Sequence, residues 1–262
     1  MEKLVYGQSM KWKQNYKQIN NILSKKENDI MKARISKEAM QNRINNMLEY
    51  RREFLEDIDN VHIKLQKGNS KTGANCYTVS LIPIVDCTNC AECKGTCYDI
   101  NNDCWMPNVQ KSRARNSALH MYDIERFWNE VSMQVKANFV TQLRINVGGD
   151  LKYEDFKHIN NMAKENPHTD FLFFTKTYDD INRFLSETEF ENNVHPIMSR
   201  WINVECNNEH NIPESHVLFE DGQTTAPEFG SYYCSGNCSE CHMYKQGCWT
   251  LNKGESVIFK AH

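Results

Sequence analysis

Eight of the eleven cysteines in this 262-residue chain fall into two short stretches of four. They are Cys87, Cys90, Cys93 and Cys97 in the first stretch, and Cys234, Cys238, Cys241 and Cys248 in the second. Thiolates this close together repel one another unless they are oxidised or share a cation, so disulfides and metal binding are the two chemical interpretations. The sequence shows no secretory signal and no apolar run of about 18 residues, which predicts a cytoplasmic protein without a membrane segment. In a reducing compartment, metal binding is the better explanation.

The spacing of the first cluster matches the beginning of the ferredoxin-type run that binds iron–sulfur clusters, although Tyr98 stands where that run has proline. The second cluster has longer gaps, and His242, directly after Cys241, could supply a nitrogen ligand. Zinc sites commonly use separated Cys-x2-Cys pairs, and each stretch contains a Cys-x2-Cys element. The sequence therefore favours a 4Fe–4S cluster at the first stretch and leaves iron–sulfur and zinc open at the second. It also leaves open whether both stretches form one site or two.

The elements that must position these cysteines alternate between strands and helices. Short apolar and β-branched runs predict strands over residues 77–85, 143–147, 171–174, 195–202, 216–219 and 256–260. Apolar residues at helical spacing predict helices over residues 37–58, 113–139, 153–165 and 178–187. Because this alternation is typical of a parallel sheet, we predict an α/β fold. Its form is a partial (β/α) barrel-like parallel sheet with an N-terminal helical appendage and a Cys-rich C-terminal segment.

Charge is unevenly distributed, although the formal net charge of −3 is too near zero to predict that the whole protein binds nucleic acid. Residues 1–70 carry 14 Lys and Arg against 9 Asp and Glu. We therefore predict a helical basic arm at residues 1–70 and an α/β body with both cysteine clusters at residues 71–262. The arm is a weak indication of contact with nucleic acid, and a solvated helical surface explains the same charges.

Ligands of parallel sheets bind at the carboxyl ends of the strands. The first predicted strand ends in the cysteine loop, and the next two end in Gly148-Gly149-Asp150 and in Lys176. On the second strand, Arg144 and Asn146 share the face opposite the apolar residues, so they would point into the lumen of a partial barrel. The predicted catalytic residues are Asp150, Lys176, Arg144 and Arg200. The predicted cofactor-binding residues are Gly148, Gly149, Asp150 and Asn146.

Two of these residues also have a structural explanation. Asp150 is equally suited to cap the next helix, and Lys176 to lie in solvent. Arg144 and Arg200 could bind a carboxylate or a phosphate in bidentate fashion. The run Arg113–Asn116 would either bind an anion at a helix start or secure the cysteine loop.

A strand, a cysteine loop, a helix and a second strand that ends in Gly-Gly-acid together resemble the architecture of radical S-adenosylmethionine enzymes. In that family a Gly-Gly-Glu-type motif holds the methionyl amino group, which implies the same role for Gly148-Gly149-Asp150. The family's Cys-x3-Cys-x2-Cys spacing is absent from the first loop. It occurs instead at Cys234, Cys238 and Cys241.

Residues 75–262 more closely resemble the gene product 88 family of phages and plasmids. The matching stretches are Cys93-x3-Cys97-Tyr98, RARN at 113–116, RINVGGD at 144–150, NPHTDFLFFTK at 166–176 and the late cysteine cluster ending in Cys248-Trp249. The resemblance implies a mobile-element origin and a cytoplasmic setting, and it implies no particular reaction.

These observations lead to one functional hypothesis and two alternatives. The hypothesis is an iron–sulfur, radical S-adenosylmethionine-like enzyme that uses an electron donor and acts on a nucleobase or nucleic acid. The first alternative is a zinc-stabilised barrel that modifies a nucleic-acid base without radicals. The second is a non-catalytic, metal-stapled module that binds DNA or a protein.

Overall fold

The computed structural model describes residues 35–69, 72–90, 93–94, 97–227 and 229–261. The chain divides into two compact units, Met1–Ser36 with His262 and Lys37–Ala261. The fold below is that of the second unit. Residues 1–34 of the predicted basic arm lie outside the described residues, and the predicted domain boundary at residue 70 stays a prediction. Within the described part of the chain, every helix is too short or too polar to cross a bilayer.

In the part of the chain that the structure describes, seven parallel strands form a single sheet. They are β1 (Cys76–Val79), β2 (Gln142–Ile145), β3 (Asp170–Thr175), β4 (Val194–Ser199), β5 (Glu214–Leu218), β6 (Ser231–Tyr233) and β7 (Ser256–Lys260). Their order across the sheet is β1-β2-β3-β4-β5-β7-β6, and the sheet does not close into a barrel. The α/β fold with a partial barrel-like parallel sheet is therefore confirmed.

Among the residues that the structure describes, seven α-helices connect or flank these strands. They are α1 (Lys37–Glu56), α2 (Tyr98–Asn102), α3 (Pro107–Tyr122), α4 (Ile124–Ala137), α5 (Tyr153–Glu165), α6 (Tyr178–Glu187) and α7 (Cys238–Met243). The prediction of one helix over residues 113–139 was wrong. Asp123 is extended at φ −150° and accepts a hydrogen bond from the backbone N–H of Arg126, so it ends α3 and caps α4.

The first strand is shorter than the predicted 77–85. Beyond Val79 the chain turns, and Ile84 adopts a left-handed φ of 70°. The backbone N–H of Leu81 bonds the carbonyl of Gly148, and that of Ile82 bonds the Asp86 carboxylate at 2.8 Å. Leu81 and Ile82 are nevertheless buried, which explains why their apolar character imitates a strand.

The two faces of the sheet pack against different parts of the chain. On one face, Leu143 and Ile145 of β2 join the main core with Phe173 of β3, whose ring stacks on Phe156 of α5 at 5.5 Å. On the other face, Cys76, Leu172, Ile197, Cys241 and Trp249 form a second core. The sheet thus separates the helical layer from the Cys-rich C-terminal segment. Burial on both faces is normal for parallel strands.

Helix α1 packs against α3. Its Arg51 lies 3.4 Å from the Asp86 carboxylate and donates to Ser117 Oγ at 3.2 Å. Its Arg43 donates to the carbonyls of Ile100 and Asn101 in α2. The predicted helix over residues 37–58 is therefore present almost in full, and it is joined to the elements that carry the first cysteine loop.

Candidate functional site

The first cysteine loop follows β1, at the carboxyl end of the sheet. Cys93 Sγ lies 3.9 Å from Cys90 Sγ, and Cys87 is close enough to Cys90 for each thiol to shift the pKa of the other. Cys97 directly precedes α2 and is close enough for the charges of Cys87 and Cys93 to affect it, while burial raises its pKa to about 12. The structure thus brings together the four cysteines of the first predicted cluster.

Lys176 reaches this loop from the end of β3. Its Nζ lies 3.1 Å from Cys93 Sγ and 5.1 Å from the centre of the Trp201 ring. The hydrogen bond from Cys90 and the positive charge of Lys176 lower the pKa of Cys93 to about 5. Although burial opposes it, the charge of Cys93 raises the pKa of Lys176. Cys93 and Lys176 therefore form an ion pair at neutral pH.

The Gly-Gly-Asp turn lies beside the same loop. A Cβ on Gly148 would be 2.0 Å from the Asp99 carboxylate, and Gly149 has a φ of +84°, so both positions require glycine. The Asp150 backbone N–H donates to the carbonyl of Asp86 at 2.9 Å, which ties the turn to the residue before Cys87. The turn that was predicted to hold a cofactor therefore contacts the cysteine loop.

The Asp150 carboxylate is buried and already has three donors. Oδ1 accepts from Thr175 Oγ1 at 2.6 Å and from the backbone N–H of Leu151 at 2.9 Å, and Oδ2 accepts from the backbone N–H of Lys176 at 3.0 Å. Burial raises its pKa to about 6 in spite of these bonds. These contacts hold the end of β2 against the end of β3, which supports a positioning role. Catalysis by Asp150 itself stays a prediction.

Arg144 lies with the second cysteine cluster instead. Its Nη1 is 3.8 Å from Cys238 Sγ, and its guanidinium lies 5.1 Å from the centre of the Phe174 ring. Although burial opposes it, the charge of Cys238, followed by those of Cys248, Cys76 and Cys234, raises the pKa of Arg144. The Arg144 Nε is buried and finds no acceptor among the described residues. The residue predicted to contact a substrate therefore faces thiols.

The second cluster surrounds a cavity of about 20 Å³ on the sheet face opposite the main core. Its lining includes Arg144 and the four cysteines of the second stretch, Cys234, Cys238, Cys241 and Cys248. Cys76, at the start of β1, is close enough for the charge of Cys238 to affect it. In the first loop Cys93 contacts Cys90 and Lys176, whereas the thiols of the second cluster line the cavity together with Arg144. The geometry therefore favours two sites over one.

In the described residues, neither cluster has the side-chain geometry of a metal site. Within the described ranges, no three His, Cys, Asp or Glu side chains stand together in positions suited to one ion. His242, considered as a nitrogen ligand, instead bonds Asp170 Oδ2 through Nε2 at 2.6 Å, and His195 bonds the other oxygen at 3.1 Å.

Of the remaining predicted residues, Arg200 is already paired, whereas Asn146 keeps a donor that no described residue uses. Arg200 is held by Glu214 through two hydrogen bonds of 2.7 and 3.1 Å, so its bidentate capacity is already used. Asn146 has a left-handed φ of 53°, and its buried Nδ2 meets no acceptor in the described part of the chain. Asn146 therefore keeps a free donor near the carboxyl end of β2.

Sequence reasoning missed Asp99 and Trp201. Asp99 is 1% exposed and binds the guanidinium of Arg113 at 3.0 and 3.2 Å, while its carboxylate rests against Gly148. Arg113 thus secures the cysteine loop, as one of the two predictions for the RARN run had it. The position of Asp99 two residues after Cys97 was the available signal. No local pattern marks Trp201, because its contact with Lys176 depends on the order of the strands.

A model of the family described as gene product 88 matches residues 60–234 of the chain. The matched range contains the first cysteine loop, the Gly-Gly-Asp turn and Lys176. It ends at Cys234, so Cys238, Cys241 and Cys248 lie outside it, in contrast to the expected range of 75–262. Comparison with curated proteins and with solved structures found no match.

Proposed function

We propose, from the premise that this chain belongs to the gene product 88 family, that it is an iron–sulfur-dependent enzyme. Its active site would lie at the carboxyl ends of β1, β2 and β3. One observation carries the proposal. The Sγ atoms of Cys90 and Cys93 lie 3.9 Å apart in the first loop, and the Nζ of Lys176 lies 3.1 Å from the Sγ of Cys93.

The surroundings of these thiols fit the donor set of an iron–sulfur cluster. The backbone N–H of Ile84 donates to Cys87 Sγ at 3.3 Å, and Lys176 supplies a positive charge next to Cys93. Hydrogen bonds to sulfur and the local net charge are the features by which proteins tune such clusters. Cys87, Cys90 and Cys93 would hold the group, and Cys97 would be the fourth ligand or a buried neutral thiol.

When bound, a cluster of this kind supplies single electrons to a co-substrate, for which S-adenosylmethionine is our proposal. The protein's own residues do the positioning. Asp150 holds the Gly-Gly turn against the loop, so that the backbone of Gly148 and Gly149 borders the site. Asn146 offers a buried amide donor, and Lys176 balances thiolate charge.

For the second cluster we propose a separate structural ion, with zinc as the metal. Four cysteines line a cavity of about 20 Å³, which is close to the room that one water-sized group needs. Structural zinc takes four thiolates in tetrahedral geometry, and the cation of Arg144 would offset part of their charge. Should the first loop lack iron, the alternative is a zinc-stabilised, base-modifying enzyme without radicals, in which this cavity would hold the zinc.

Anaerobic purification followed by metal analysis and visible spectroscopy tests the proposal. We expect about four irons per chain and a broad visible band that dithionite bleaches. Cys93→Ser should remove most of the iron and the band. Cys206→Ser is the matched control, because Cys206 contacts Met198, away from both clusters. Zinc alone without a visible band, or a Cys90–Cys93 disulfide in place of metal, would overturn the proposal.

A further inference from the structure

A wide groove lies beside α1 and α3, and none of its described lining residues is a cysteine. Its volume is about 760 Å³, which is within the usual range for sites that bind small ligands. Phe54, Leu65, Met106 and Val109 contribute apolar surface to its walls. Next to Met106, the Trp105 side chain is 59% exposed, although it is not part of the lining. The groove therefore offers apolar walls, and the residue that precedes Met106 in the sequence carries an exposed indole.

The charge of the groove is strongly positive. Lys64, Lys67, Lys111 and Arg115 line it, and none of them forms an ion pair with another described residue. A fifth cation, Arg113, is neutralised by Asp99. Asp103 is the one carboxylate among the described lining residues. The lining thus carries an excess of cations that form no ion pair with another of the described residues.

Arg115 contributes a buried hydrogen-bond donor to this surface. Its Nη2 donates to Ser112 Oγ at 3.3 Å, whereas its buried Nε meets no acceptor among the residues that the structure describes. A buried guanidinium donor without an acceptor costs free energy unless a ligand supplies the acceptor. Planar guanidinium groups suit phosphate oxygens in particular.

We infer that this groove binds a phosphate-bearing ligand, either a nucleotide or a single-stranded oligonucleotide. Phosphates would lie against Lys64, Lys67 and Arg115, and a base would lie on the apolar wall near Met106. Cationic grooves combined with exposed aromatic side chains are how proteins bind single strands without sequence preference. Free nucleotides and oligonucleotides share this chemistry, and the two probes below distinguish them.

The groove also reaches toward the proposed active site. Val147 lines it and directly precedes the Gly-Gly-Asp turn, while Arg113 joins its wall to Asp99 beside Gly148. Use of the groove as a substrate site rests on the proposed enzymatic function. Binding in the groove does not, because none of its described lining residues is a cysteine.

Fluorescence anisotropy of the full-length protein provides the test, with a labelled oligothymidylate and a labelled ATP analogue as probes. We expect Lys64→Gln combined with Lys67→Gln to weaken binding by about tenfold at low salt, and to flatten the dependence of the affinity on salt. Arg115→Gln should weaken binding by a similar factor. The matched control combines Lys164→Gln with Lys253→Gln, which removes the same charge outside the groove and should change affinity less than about twofold.

The possible outcomes separate clearly. Groove-dependent binding of either probe supports the inference, and the probe that binds identifies the source of the phosphate. Failure of both probes to bind, or equal weakening in the groove and control variants, would overturn it. Unchanged thermal unfolding in each variant shows that the fold is intact. Repeating the assay with Cys93→Ser keeps the two proposals distinguishable, because binding should persist there even though the iron is lost.

Discussion

The Nζ of Lys176 lies 3.1 Å from the Sγ of Cys93, although the two residues are 83 positions apart in the chain. Lys176 directly follows β3, and Cys93 belongs to the loop after β1. Strand β2 lies between these two strands, and the Asp150 carboxylate after β2 binds the backbone N–H of Lys176. The contact therefore depends on three strand ends that meet at one edge of the sheet.

This ion pair predicts an acidic thiol in the metal-free protein. The pKa of Cys93 is about 5, because Cys90 donates a hydrogen bond to its thiolate and Lys176 adds a positive charge. Cys93 should therefore be alkylated by iodoacetamide already near pH 6, where an ordinary thiol is almost wholly protonated. Lys176→Met should move the onset of alkylation to higher pH, as measured by mass spectrometry of the Cys93 peptide.

Lys94→Met is the matched control for this experiment, since Lys94 is an exposed lysine next to Cys93 in sequence. Its pH profile should coincide with that of the unmodified protein. An identical profile in Lys176→Met would contradict the assigned role of the ion pair.

Asp150 predicts a specific dependence of stability on pH. Its pKa in the folded state is about 6, above the ordinary value of 3.8, because burial disfavours the charged form. Between these values the folded state binds a proton that the unfolded state has released, so the contribution of Asp150 to stability falls as pH rises from about 4 to about 6. The loss should be about 3 kcal/mol.

Asp150→Asn removes this titration. Urea unfolding at pH 4.5 and pH 7 should show that the variant gains stability relative to the unmodified protein as pH rises, whatever the constant cost of the substitution. Parallel pH dependences of the two proteins would refute the assignment. Asp180→Asn, in the first turn of α6, provides a control carboxylate.

The buried pair of Asp99 and Arg113 predicts that one single substitution lowers the free energy of unfolding more than the double substitution does. Both side chains are at most 3% exposed, so Asp99→Asn leaves a buried guanidinium without its counter-charge. We expect a loss of about 3–5 kcal/mol in the free energy of unfolding. Asp99→Asn combined with Arg113→Met should recover part of this lost free energy of unfolding. The exposed pair of Lys136 and Glu165 serves as the comparison, where Lys136→Met should cost less than about 1 kcal/mol.

Those stability effects are measured by urea unfolding followed by circular dichroism. A double variant that is less stable than Asp99→Asn would show that Arg113 contributes through packing and not through its charge.

The second cluster predicts a metal that can be removed independently of the first. Cys238→Ser combined with Cys241→Ser should lower the zinc content by about one ion per chain and leave the iron and the visible band unchanged. Arg144→Met should weaken zinc retention against a chelator, because it removes the cation that faces the thiols. Loss of both metals in the cysteine variant, with thermal unfolding unchanged, would indicate one shared site.

Much of the fold followed from local patterns in the sequence. The strand–helix alternation predicts a parallel sheet, and helices α5 and α6 begin and end where the apolar spacing places them. The alternation on β2 correctly separates Leu143 and Ile145, which face the main core, from Arg144 on the other face. These features depend on the periods of strand and helix, which are properties of neighbouring residues. The cysteine spacing likewise identified two groups of thiols that each gather in space.

Only the tertiary structure decided what these side chains meet. Arg144 faces Cys238, 94 residues later in the chain, because the Cys-rich segment returns to cover that face of the sheet. Asp150 binds Thr175 because β2 and β3 are neighbours, and for that reason its carboxylate supports the turn. Such contacts depend on the order of the strands, which local spacing does not encode. The sequence by itself thus determined the elements and the groups of thiols, whereas long-range packing decided the partners and the environment of each charged residue.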